Sequence, residues 1–88
     1  MIYETSYDEL FVGHFERLTL KERRIIEKKI NIMTHDLDHP SLRTQPLHRF
    51  PDMYESSISM DIRVIWRLVR NVIVFVDVGH HDILKRYG

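Results

Sequence analysis

Two β-type runs separated by a tight turn most constrain what this chain can fold into. The first run covers residues 61–69 and the second covers residues 72–78, and both are rich in Ile, Val and aromatic residues. Arg70 and Asn71 between them are short enough for a two-residue hairpin loop. The predicted pairs are Val69 with Val72, Trp66 with Phe75, and Arg63 with Val78. A further run at 53–59 extends this hairpin into an antiparallel meander.

Side-chain alternation divides the meander into two faces, because successive strand residues point to opposite sides. One face is apolar, and its predicted members are Ile62, Val64, Trp66, Leu68, Ile73 and Phe75. The other face mixes charge with aliphatic residues, and its predicted members are Asp61, Arg63, Ile65, Arg67, Val74, Val76 and Val78. We expect the apolar face to be covered by helices and the mixed face to meet a ligand or partner.

Two amphipathic helices precede the meander. Apolar residues recur with helical spacing from Tyr7 to Leu18, and a second stripe follows over residues 20–34. Thr19 and Glu22 form a capping-box pattern, with Thr19 at the N-cap of the second helix. A connection this short predicts a helical hairpin, which supplies the cover for the apolar face.

The remaining segments complete an α+β pattern of β-α-α-β-β-β. Residues 1–5 read as a short strand, and residues 35–46 read as a loop rich in Pro, Asp and His. Residues 47–50 are expected to start a strand, and residues 81–87 to form a short C-terminal helix or tail. We therefore predict one domain over residues 1–88, with a helical hairpin on one face of a small, mainly antiparallel sheet.

Composition narrows the functional classes. The chain has 88 residues, no cysteine and a formal net charge of zero. Disulfides and thiolate metal sites are therefore excluded, and a cytoplasmic location is expected. No apolar run approaches about 20 residues, so a membrane span is not expected. The neutral balance argues against simple nucleic-acid affinity, although residues 16–35 carry six bases against three acids.

Charged residues gather at one end of the predicted hairpin. Asp61 and Arg63 share a strand face, and His80 and His81 follow the last strand. A carboxylate, a guanidinium and imidazoles are the groups that cleavage of a phosphodiester without a metal requires. Each also has an ordinary explanation: Arg63 as a surface charge paired with Asp61, and either histidine as a surface residue. No metal and no cofactor is expected.

The order of elements and several short motifs resemble the RelE/ParE superfamily of bacterial type II toxins. The similarity covers nearly the whole chain at the level of element order and is most specific between residues 47 and 82. The motifs that carry it are Leu47, Pro51-Asp52-Met53-Tyr54, Asp61-Ile62-Arg63-Val64-Ile65-Trp66, and Val74-Phe75-Val76-Asp77-Val78-Gly79-His80-His81.

This resemblance implies a ribosome-dependent mRNA endonuclease that acts without a metal and inhibits translation. Arg63 falls on the family's phosphate-contacting Arg, and His81 falls where members carry an Arg or His as the acid. Tyr87 falls near an aromatic that orients the base, and Asp61 or His80 is the expected proton acceptor. Further RNA contacts are expected from Arg49, Arg67, Lys85 and Arg86.

The resemblance also implies partners and leaves alternatives. A cognate antitoxin, the ribosome and mRNA are the expected partners. Glu55 and Ser57 stand where RelE itself carries lysines, and the neutral charge is unlike the basic members. These departures keep two alternatives open: an inhibitor of DNA gyrase of the ParE kind, without nuclease activity, and a catalytically degenerate module that only binds its antitoxin.

Overall fold

The computed structural model describes residues 2–87 and shows the predicted α+β architecture. Five strands form one sheet, and two single turns of 3-10 helix lie at Pro40–Leu42 and His81–Ile83. The regular elements in chain order are β1 Glu4–Tyr7, α1 Glu9–Glu16, α2 Leu20–His35, β2 Gln45–Pro46, β3 Met53–Ser57, β4 Ile62–Val69, β5 Val72–His80 and α3 Leu84–Tyr87.

The sheet is mixed, with one parallel pair. Its spatial order is β1-β5-β4-β3-β2, so the first strand lies beside the last. β1 runs parallel to β5, and the other neighbours are antiparallel. A parallel pair needs a long crossover connection, and the chain between β1 and β5 supplies it. The expectation of a mainly antiparallel sheet is confirmed.

Both long helices pack on the face that carries Trp66 and Phe75. Phe11 from α1 and Ile26 from α2 are almost fully buried there. Thr19 caps α2 as predicted: its Oγ1 accepts from the Glu22 N–H at 3.1 Å, and Glu22 Oε1 accepts from the Thr19 N–H at 2.9 Å. The first helix begins later than the apolar period implied, because Tyr7 ends β1.

The predicted register of the β4–β5 hairpin holds near the turn and fails beyond it. Val69 pairs with Val72 and Trp66 with Phe75, as expected. Arg63, however, pairs with Gly79 and not with Val78, because a bulge leaves Val76 without a partner. Val78 therefore turns to the helix side, where it is fully buried, and its assignment to the mixed face was wrong.

The mixed face is partly covered by the chain's own tail. Ile65 is fully buried in a second cluster, here called the tail-side cluster, whose buried members are Leu47, Ile65, Ile83 and Tyr87. The strand predicted at residues 47–50 was wrong. The paired residues are Gln45 and Pro46, because Leu47 is drawn into this cluster and its N–H bonds the Met53 carbonyl at 3.0 Å.

No helix within residues 2–87 is long and apolar enough to cross a membrane.

Candidate functional site

One end of the β4–β5 pair holds four of the five residues predicted to be catalytic. Arg63 lies opposite Gly79, and Ile62 lies opposite His80. Asp61 comes directly before β4, and His81 comes directly after β5. Because the two strands are antiparallel, the start of β4 and the end of β5 lie at the same end of the sheet. This end, opposite the Arg70–Asn71 turn, is here called the far end.

The Arg63 side chain is anchored to the loop between β3 and β4. Its Nη1 donates to the carbonyls of Ser59 at 2.7 Å, Met60 at 3.1 Å and Ile62 at 3.2 Å. The side chain is half-buried. These contacts use Nη1 alone and fix the position of the guanidinium, so Nη2 and Nε remain to meet an anionic ligand.

His80 is held by a residue from the start of α2. Its Nε2 lies 2.6 Å from Oε2 of Glu22, the same carboxylate that completes the capping box. The Thr19 backbone N–H, followed by the His80 ring, lowers the pKa of Glu22. Sequence reasoning identified Glu22 only as a helix cap. Its contact with His80 joins residues that are far apart in sequence, and no local pattern indicates such a contact.

His81 and Asp61 are both exposed. His81 begins the 3-10 turn that leads into α3, and Asp61 lies in the bend before β4, where its N–H donates to Ser59 Oγ at 3.3 Å. The contacts described for residues 2–87 place no ion pair between Asp61 and Arg63. Both side chains are therefore accessible to a substrate at the far end.

Tyr87 lies in the core. It belongs to the tail-side cluster, and its ring meets Phe50 edge-on with centroids 5.8 Å apart. Its hydroxyl donates to Oδ2 of Asp77 at 2.8 Å. Burial, followed by this hydrogen bond to Asp77, raises the pKa of Tyr87. In this position the ring supports the tail and is not presented for stacking on a base.

Asp77 joins three elements through its carboxylate. It is fully buried, yet it accepts from the Tyr87 hydroxyl and from the Val78 N–H, also at 2.8 Å. His14 of α1 approaches to 2.6 Å through Nδ1, and Arg86 Nη1 lies 3.5 Å away. A buried carboxylate requires such partners. This Asp77 network, which sequence reasoning did not single out, ties α1 and α3 to β5.

Gly79 allows the chain to fold back after β5. A Cβ at this position would lie 2.3 Å from Cγ2 of Ile83, a distance that no side chain can accept. The absent side chain therefore lets Ile83 pack directly on the strand. This close approach sets the direction in which the chain leaves β5 and so sets the position of His81.

The expected additional RNA contacts are spread over the surface. Arg67 is half-buried on β4, between Met53 and Val74. Arg49, Lys85 and Arg86 are exposed. Arg86 lies beside Gly79 and His80, whereas Arg63 lines a separate cleft. Within residues 2–87, no group of three or more His, Asp or Glu side chains is arranged to hold a metal ion.

No family model and no curated protein matches the sequence significantly. Solved structures do match. YafQ from E. coli strain BL21(DE3) superposes with a TM-score of 0.77 at 13% identity, over 93% of this chain and 97% of that one. A chain of the toxin–antitoxin complex RelBE2 from Mycobacterium tuberculosis has a TM-score of 0.78 at 13% identity, over 92% and 93%.

An archaeal protein extends the similarity to another domain of life. A chain of the RelE–RelB complex from Pyrococcus horikoshii OT3 has a TM-score of 0.74 at 18% identity, over 91% of this chain and 96% of that one. These identities are too low to transfer an activity, but near-complete coverage in both directions defines the architecture. This chain has the fold of the RelE-like toxins.

Proposed function

We propose that this chain is the toxin of a type II toxin–antitoxin system and that it cleaves mRNA on the ribosome without a metal. The observation that carries the proposal is that Arg63, His80 and His81 lie at the same end of the antiparallel β4–β5 pair. The fold supports the first part, since the similar structures include YafQ and complexes named RelE–RelB and RelBE2. The groups at the far end support the second part.

The chemistry follows from the groups present. The 2′-hydroxyl of the substrate attacks the adjacent phosphorus while Asp61 or His80 accepts its proton. Nη2 and Nε of Arg63 stabilise the negative charge that develops on the phosphate oxygens. His81 protonates the leaving 5′-oxygen as the general acid, a role that histidine fills most often among side chains. The products are a 2′,3′-cyclic phosphate and a 5′-hydroxyl, and no co-reactant is consumed.

Tyr87 has an indirect role in this proposal. The resemblance implied that it orients a base, but its buried hydroxyl is bonded to Asp77. We propose that Tyr87 instead holds α3 against the sheet and thereby supports the segment that carries His81. Arg67 and the exposed Arg49, Lys85 and Arg86 are left to make further contacts with RNA.

A cognate antitoxin is the proposed protein partner, with the ribosome and mRNA as the targets. The structures that match include complexes named for a toxin and its antitoxin, which supports the first partner. Expression in the cytoplasm, where ribosomes are available, is part of the same proposal.

The test is to map RNA cuts in bacteria. Wild type, His81→Ala and Arg63→Ala are induced separately, and the 5′ ends of translated mRNA are sequenced. We expect cuts within codons for wild type and a loss of at least tenfold for each variant. His35→Ala and Arg24→Ala are matched controls, because both residues are exposed on α2 and neither belongs to the predicted site. Unchanged cutting in both site variants would refute the assigned roles.

One observation favours a second candidate, a gyrase-inhibiting toxin that cleaves nothing. The β3 positions next to Arg63 hold Glu55 and Ser57, so this strand supplies no cation to a scissile phosphate. The same induction distinguishes the two. Growth arrest with intact mRNA and gyrase-dependent DNA damage would establish the second candidate. Absence of arrest would indicate a module that only binds its antitoxin.

A further inference from the structure

A cleft of about 350 Å³ opens at the edge of the sheet beside Arg63. β2 pairs only with Tyr54 and Glu55, so the end of β3 extends past it and leaves this edge open. The cleft lies between α2, the loop after it and the bend between β3 and β4. Its polar lining consists of Lys29, Ser41, Arg43, Ser57, Ser59 and Arg63.

The cleft concentrates positive charge in a protein with no net charge. Each charged residue among its described lining residues is basic. Lys29 is held at the rim, where Nζ donates to Ser41 Oγ at 2.9 Å. An ammonium carries further donors beyond this bond. Arg63 is positioned by its bonds to the loop carbonyls, as described above. Cations and hydroxyls around an open cleft form a typical site for an oxyanion.

Arg43 reaches the cleft from an unusual backbone conformation. Its φ is +47°, in the left-handed region that residues with a Cβ seldom occupy. Glycine or asparagine fits such a position more readily. The chain nevertheless has a long cation here, facing the same cleft as Lys29. A strained residue at a candidate site is an observation from which a function can be inferred.

We propose that this cleft binds a phosphodiester of the RNA backbone, next to the phosphate that Arg63 contacts. This inference rests on the proposed function and deepens it. Arg63 lines the cleft and also belongs to the far end, so one strand of RNA can meet both. Lys29 from α2 and Arg43 from the loop then provide the cations that Glu55 and Ser57 do not provide on β3.

The test measures binding without cleavage. Lys29→Gln, Arg43→Asn and the double variant are compared with wild type for two ligands: a fluorescent single-stranded RNA oligonucleotide carrying 2′-O-methyl groups, and purified bacterial ribosomes. Asn replaces Arg43 because it tolerates a positive φ. We expect affinity to fall about three- to fivefold for each single variant at low salt. The slope of log affinity against log salt should fall by about 0.7 per removed contact.

Lys28→Gln and Lys21→Gln are matched controls, since both lysines are exposed on α2 and do not line the cleft. They should bind like wild type, and thermal unfolding should show that all variants fold. Loss with the oligonucleotide identifies mRNA as the ligand, whereas loss with ribosomes alone identifies ribosomal RNA. Either result supports the proposal.

The proposal would be overturned if the double variant bound both ligands with wild-type affinity and salt slope. It would equally be overturned if wild type bound neither ligand. The assay is independent of the nuclease proposal, because the methylated oligonucleotide cannot be cut. Binding that depends on Lys29 and Arg43, found together with intact mRNA in cells, would support the cleft as a phosphodiester site. It would at the same time refute the proposal of nuclease activity.

Discussion

The two halves of the β4–β5 hairpin differ in what sets the pairing of their residues. In the half next to the turn, residues pair one to one outward from the two-residue loop. These pairs run from Val69–Val72 to Trp66–Phe75. The half beyond Val76 is shifted by a bulge, and it carries Asp77, Gly79 and the candidate site. A turn fixes the register only as far as the next irregularity, and in this chain the functional residues lie past it.

The bulge has no clear signature in the sequence. β5 begins Val72-Ile73-Val74-Phe75-Val76, a continuous apolar run, and most of the strand is buried on both faces. When both faces are apolar, a shift of one residue leaves the hydrophobic pattern unchanged. The shift was decided by what the residues after Val76 contact, namely the helix-side core for Val78 and the network for Asp77.

The largest expected effect on stability comes from substituting Asp77, in the half of the hairpin beyond the bulge. Asp77→Ala should lower the free energy of unfolding by about 2–4 kcal/mol, because it leaves the Tyr87 hydroxyl and the His14 ring without their buried acceptor. Urea unfolding measures the change. Asp82→Ala is the control, since Asp82 is exposed on the same tail and should change stability by less than about 0.5 kcal/mol. Equal effects at both positions would contradict the role of the network.

The next effect concerns the close approach at Gly79. Gly79→Ala should cost about 1–3 kcal/mol, because its Cβ would overlap Cγ2 of Ile83. Ile83→Ala removes that atom, so the double variant should be more stable than the sum of the single effects predicts. Additive effects in this double-mutant cycle would show that the tail does not pack on the strand in the way described.

A smaller effect isolates the Tyr87 hydroxyl. Tyr87→Phe should cost about 1–2 kcal/mol at neutral pH through the lost hydrogen bond to Asp77. The raised pKa of Tyr87 means that the folded protein keeps this proton after the unfolded chain begins to lose it. Wild type should therefore lose stability as the pH rises above about 10, and the loss should be smaller in the variant. Parallel pH profiles for the two proteins would contradict this assignment.

The smallest expected effect on stability comes from substituting Arg70, in the loop that sets the pairing of the half next to the turn. Arg70, the first loop residue, has a φ of +56°, as the first position of a type II′ turn requires. Arg70→Gly should raise the free energy of unfolding by about 0.5–1 kcal/mol, since glycine accepts this conformation without strain. Arg70→Val should have the opposite sign. Thermal unfolding distinguishes them, and destabilisation by glycine would mean that the Arg70 side chain makes a compensating contact.

Much of the fold was predictable because it depends on local patterns. The capping box at Thr19 and Glu22, the helix over most of residues 20–35, and the turn at Arg70 are each set by neighbouring residues. The short strand Gln45–Pro46 was misplaced by two residues, because Leu47 is held by a cluster whose other members come later in the chain. Residues of distant segments decided its position.

The candidate site also has features that could be predicted from local sequence patterns and features that could not. The presence of Arg63 and the two histidines at the same end of the sheet followed from the antiparallel pairing of β4 and β5, despite the shifted register. The contact of His80 with Glu22, the burial of Tyr87 against Asp77, and the cleft shared by Lys29, Arg43 and Arg63 did not follow. Each of these joins elements that the sequence alone does not bring together.

By itself, the sequence determined the strands and helices, the hairpin turn and the residue types available for chemistry, because each depends on a period or a turn within a few residues. Only the tertiary structure decided which side the residues beyond Val76 face, that the tail covers Ile65, and that cations from α2 and the following loop meet Arg63. The physical reason is that burial and ion pairing depend on distances between segments, and those are set when the sheet and helices pack together.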